Sequence, residues 1–120
     1  MKMLKVTILG TEVEANLLNP EVAKLYEDGF ETTIKKIREA TTVCKTGSEG
    51  ISYQCMAVMN YVESVFGEDA KNKIFGKETD LLTCLDVLED MTTVYERDVV
   101  PVIRQKTTEI ENKFKESDIQ

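Results

Sequence analysis

Asp86, Glu89 and Asp90 stand close together, with Glu96 and Asp98 just beyond, and they form the densest acidic group of the chain. Asp86 and Glu89 have the D-x-x-E spacing, which stacks two carboxylates on successive turns of a helix. Carboxylate oxygens are hard donors, and a facing pair of them suits Mg²⁺. Such a centre needs the carboxylates turned inward toward a second acidic pair. On a helical wheel, Leu81, Leu85, Leu88 and Thr92 fall within about 40° of one line, whereas the three carboxylates lie some 80–180° from it. The wheel therefore predicts that they face water, and it predicts no metal site.

The other reactive side chains are equally constrained. The chain has no histidine, so a Ser–His–Asp triad, a Cys–His dyad and His-ligated metal are all excluded. Cys44, Cys55 and Cys84 are odd in number and match no CxxC pattern. They read as small apolar residues of a reducing compartment. Gly47-Ser48-Glu49-Gly50 lacks the spacing of a phosphate loop, and Glu49 would repel an anion. It reads as a turn between helices, with Ser48 capping the second. Tyr26 and Tyr95 lie on apolar stripes. Tyr53 and Tyr61 lie off theirs, which predicts surface or interface aromatics. No catalytic residue, cofactor or metal is expected.

These residues are carried by a chain of 120 residues, long enough for one domain with its own core. The net charge is −7, which disfavours nucleic acid and anionic membrane as partners. No segment approaches the length of a membrane span and no apolar run marks a signal peptide, so a cytoplasmic protein is expected. Leu4, Val6 and Ile8 alternate with polar neighbours, as do Val13, Ala15 and Leu17, and Gly10-Thr11 separates the two runs. That pattern predicts a β-hairpin over 3–17. Helices follow over 19–118. Asn19-Pro20 is a capped start, and Val22, Tyr26, Phe30, Ile34 and Ile37 form the first stripe. Gly29 at the edge of that stripe calls for a close crossing by another element. The second stripe runs from Ile51 to Phe66, with Gly67 as its stop. A short turn ends at Phe75-Gly76, and Thr79 or Asp80 caps a third long helix. Pro101 should kink that helix near Val100. The predicted fold is α+β and mostly α: an N-terminal hairpin and a bundle of three to four helices, forming a single domain over 1–120. Phe30, Ile37, Val58, Val62, Leu85 and Leu88 are the expected core.

The last segment carries a thin apolar edge. Val99 and Ile103 continue the pattern past the proline, and Ile110 and Phe114 follow one turn apart. A helix so weakly apolar is poorly held by its own domain and suits a partner. The expected partner-binding residues are Tyr53, Tyr61, Val99, Ile103, Ile110 and Phe114. Homo-oligomerisation is expected, through this helix or through strand pairing at the hairpin edge.

With these segments placed, the chain resembles a family of small acidic proteins from phages and prophages of Gram-positive bacteria, encoded among tail-morphogenesis genes. The resemblance rests on the short strand pair, Leu25-Tyr26-Glu27, Val65-Phe66-Gly67-Glu68, Lys73-Ile74-Phe75-Gly76, Thr79-Asp80-Leu81 and Cys84-Leu85, and it covers residues 1 to about 95. The tail beyond Arg97 extends past that pattern. The resemblance implies a tail assembly chaperone that binds tape-measure or tail-tube subunits in the host cytoplasm, and it carries over no catalytic residue. Two alternatives remain at this point. One is a structural tail component or host-factor-binding protein of a mobile element. The other, more remote, is an all-α Mg-dependent nucleotide pyrophosphohydrolase.

Overall fold

The structure, a computed structural model, describes residues 2–119, with side chains through Ser117. Strands β1 (Leu4–Ile8) and β2 (Thr11–Ala15) pair antiparallel, with Val6 opposite Val13 and Ile8 opposite Thr11. Leu9 and Gly10 join them, both at positive φ (46° and 79°). This is the handedness that matches strand twist in a two-residue turn. Leu4, Val6, Ile8, Val13, Ala15 and Leu17 face the helices, as the alternation requires.

Helix α1 (Pro20–Val43) starts at Asn19, whose side chain accepts from the backbone N–H groups of Glu21 and Val22. Helix α2 (Gly47–Phe66) is capped by Thr46, not Ser48: the Thr46 hydroxyl accepts from Glu49 N–H while the Glu49 carboxylate accepts from Lys45 N–H. Gly47 to Gly50 is thus the first turn of the helix and no loop at all. Gly67 at φ 95° ends α2 and leads into α3 (Glu68–Phe75), which Gly76 closes at φ 70°. Asp80 caps α4 (Leu81–Met91).

The third long helix departs from the expected course. It stops at Met91, turns at Thr92-Thr93, and resumes as a π-helical turn (Tyr95–Val99) that runs into α5 (Val100–Ile119). Thr92 is therefore exposed and drops off the apolar stripe. The kink foreseen at Pro101 is this π turn. Proline has no N–H and its ring crowds the carbonyl four residues back. Widening the preceding turn, with Val100 N–H reaching Tyr95 C=O, moves that carbonyl aside. Helix α5 then passes through Pro101 without a break.

The core lies where β1, β2, α1, α2, α4 and the π turn meet. Val58, Val62 and Leu88 are buried as expected, and Phe30 and Ile37 pack on the core half-buried. Leu85 is a correction. The buried face of α4 is Cys84, Val87, Leu88 and Met91, so the helix is rotated and Leu85 sits at its margin. Residues 81–91 are apolar around much of their circumference, and packing chose among several stripes that the wheel could not separate.

Candidate functional site

Each group with chemical potential has a place, and most turn out to be structural. Tyr26, Tyr61 and Tyr95 form an aromatic knot with Phe30 and Phe66. Ring centroids of Tyr26 and Tyr95 are 5.0 Å apart and those of Tyr26 and Tyr61 are 6.1 Å apart, both edge to face. Each hydroxyl donates to a backbone carbonyl: Tyr26 to Met91 at 2.6 Å, Tyr61 to Tyr26 at 2.5 Å, and Tyr95 to Leu17 at 2.8 Å. Burial pushes the Tyr26 and Tyr61 phenols well above the ordinary tyrosine range. Both stay protonated near neutrality. The knot ties α1 and α2 to the break after α4 and to the end of the hairpin.

Tyr61 is thus a correction to the expected partner surface. It lies off the stripe of α2, but α2 is packed on more than one side, and the ring lies against Gly29 of α1. A Cβ at Gly29 would sit 2.7 Å from the ring. This is the close crossing that the glycine called for. Val99 is a second correction: the π turn directs it inward and it is fully buried. Tyr53 stays half-buried and donates to the Glu39 carboxylate at 2.7 Å, which raises its pKa.

The acidic group divides. Asp86, Glu89 and Glu96 face water. Asp90 and Asp98 do not simply follow them. Asp90 accepts from Leu9 N–H at 2.9 Å and Asp98 from Thr7 N–H at 3.2 Å. Arg97 lies between them, 3.0 Å from Asp90 and 2.9 Å from Asp98, and also donates to Thr7 C=O. The Arg97 guanidinium beside Asp98 holds that carboxyl below the ordinary aspartate range. This clamp engages the backbone of Thr7 and Leu9 at the outer edge of β1, where a further strand pairing there would have to displace it. Among the described residues no cluster of carboxylates and thiols has the geometry to hold a metal ion. Cys84 is fully buried beside Cys55, and burial pushes its thiol up to about 12.

Large apolar side chains are exposed at several places, Ile51, Met56 and Leu82 among them, and a run of them lies at the C-terminus. Every described residue from Pro101 to Ser117 is exposed. Ile103, Ile110 and Phe114 are 45%, 59% and 66% exposed. At the base of this arm an apolar groove of about 670 Å³ opens between the exit of the hairpin and α5. Leu4, Leu18, Pro20, Val102 and Ile103 line it, with Lys2 and Lys106 at its rim. The arm makes the molecule long, 72 × 26 × 21 Å, with a radius of gyration of 18.2 Å against about 14 Å for a compact chain of this length. Of the six expected partner residues, the structure gathers Ile103, Ile110 and Phe114 on the arm, leaves Tyr53 apart, and buries the other two. Leu18 and Val102 belong to the same surface. The sequence offered no signal for Leu18, because only the packing of the hairpin exit beside α5 makes its exposure part of a groove.

Among the described residues no helix is long and apolar enough to cross a membrane. The profile of a family of unknown function, DUF6673, matches residues 9–118, and the chain belongs to that family. The match runs through the arm and not only through the body. No curated protein and no solved structure matches the chain.

Proposed function

We propose that this protein is a non-enzymatic tail-assembly protein of a phage or prophage, a chaperone that holds a tape-measure or tail-tube subunit in the bacterial cytoplasm until it is assembled. The observation that carries the reading is the apolar groove at the base of an exposed helical arm, on an otherwise acidic molecule. A subunit that will polymerise exposes apolar surface beforehand, and a groove beside an amphipathic helix covers such surface. Net charge keeps the complex dispersed. The resemblance of the strand pair and of the Lys73–Leu85 region to small acidic tail-gene proteins supplies the class of client. The reactive groups of the body support the reading indirectly, since its tyrosines and the Asp90–Arg97–Asp98 clamp are engaged in holding the fold.

Co-expression with phage tape-measure and tail-tube subunits is the test. The expected result is that one of them becomes soluble and co-purifies, and that Leu18→Asp with Val102→Asp abolishes capture without lowering the melting temperature. A subunit equally soluble without this protein, or captured equally by the double variant, overturns the reading.

A further inference from the structure

The arm is a 20-residue helix whose described residues beyond Val100 are all exposed. Most helical stability in proteins comes from packing an apolar face and not from propensity. The face it offers is a heptad seam. Val100, Ile103, Thr107, Ile110 and Phe114 follow at alternating steps of three and four, which is the spacing of paired a and d positions. The charges beside a seam decide which helix can lie on it. With Val100, Thr107 and Phe114 at a, the e positions hold Arg104 and Glu111 and the g positions Lys106 and Lys113.

We propose that two copies of this chain associate through α5 as a parallel, in-register two-stranded coiled coil. In a parallel pair a g residue meets the e residue five positions further on in the other strand. Lys106 then faces the partner's Glu111, and symmetry repeats the pair. An antiparallel pair joins g to g, which sets Lys106 against the partner's Lys113 and cancels the gain from Arg104 and Glu111. Within its own chain Lys106 pairs with Glu109, at 3.7 Å and largely exposed, so it is available for exchange. The segment after Val99 carries four basic and four acidic residues, while the rest of the chain holds the whole net charge of −7. Two arms can meet without net repulsion, and salt screening over about 8 Å limits the repulsion between the two acidic bodies that the parallel register brings to one end. Strand pairing along β1 would have to displace the clamp at Thr7 and Leu9. Groove residues Leu18 and Val102 lie off the seam, whereas Ile103, Lys106 and Thr107 belong to both, so self-association covers one side of the groove and leaves the Leu18–Val102 side for the client.

Sedimentation velocity on the protein alone tests this without any client, so its outcome is separate from that of the chaperone reading. At roughly 100 µM, where a dimer of micromolar affinity is formed, the full chain should sediment as a dimer. Glu111→Lys should weaken that dimer roughly tenfold, since two attractive pairs become repulsive. Lys106→Glu added to it should restore the affinity. Ser117→Cys should give a disulfide-linked dimer on oxidation, above the background from the native cysteines, because only the parallel register brings the two d positions together. A monomer throughout, a dimer indifferent to Glu111→Lys, or a dimer that Ser117→Cys does not link would each overturn the proposal.

Discussion

Gly29 carries no side chain because the ring of Tyr61 occupies the space beside it. In an open helix, Gly→Ala is stabilising by up to about 1 kcal/mol. Here the sign reverses. The Tyr61 ring is held by its hydrogen bond to Tyr26 C=O and by the edges of Tyr26 and Phe30, so it cannot move aside. Gly29→Ala should therefore lower stability by about 1–3 kcal/mol, the range for overpacking. Denaturant unfolding monitored by circular dichroism would show it as a lower midpoint, and an unchanged or higher midpoint would contradict the packing. The need for a crossing at Gly29 was legible in the sequence, because a glycine inside an amphipathic stripe weakens the helix and makes room for a close neighbour. The identity of the crossing residue was not. Tyr61 lies off the main stripe of α2, and only the placement of α2 against α1 decides that this side is buried too.

Among the elements, the hairpin depends on a contact that no local pattern announces. Asn19, Gly67, Gly76 and Asp80 bound their helices through groups a few residues away, and their roles follow from spacing alone. The β1 clamp joins residues 81 to 91 positions apart. On a helical wheel Asp90 is solvated, and it is the turn after Met91 that swings Arg97 and Asp98 against the strand. Arg97→Ala should cost about 1 kcal/mol of global stability, the scale of a partly exposed ion pair. It should have a larger local effect, with faster amide exchange at Thr7 and Leu9 than in α2. Equal protection of those amides in the variant would show that the clamp is ornamental. The same clamp sets an acid limit. The Asp98 carboxyl is held below its unfolded value, so its contribution is complete above about pH 4, the ordinary aspartate pKa. It is lost as pH falls through the lower folded value. Asp98→Asn should remove that part of the acid slope and leave the neutral plateau flat. An acid limb identical in the variant would assign it to other carboxylates.

At the scale of the whole molecule there are two parts with different needs. The body closes on its own core, and among the described residues no buried side-chain polar atom lacks a partner. The arm covers none of that core beyond its first turn, and it presents Ile103, Ile110 and Phe114 to solvent. The thinning of the apolar pattern after Lys106 was visible in the sequence. That it becomes a projecting helix and not a frayed end depends on the π turn, which aims α5 away from the bundle at Pro101. The central claim is that this arm is held by another chain and not by its own. Amide hydrogen exchange along the full chain, followed by mass spectrometry at low and at high protein concentration, measures this directly. When the protein is dilute, residues 102–117 should exchange almost as an isolated helix would, while α2 and α4 stay protected. Raising the concentration, or adding a captured tail subunit, should slow exchange in the arm at least tenfold and leave α2 and α4 unchanged. An arm protected as strongly as α2 in dilute solution, independent of concentration and partner, would contradict the account.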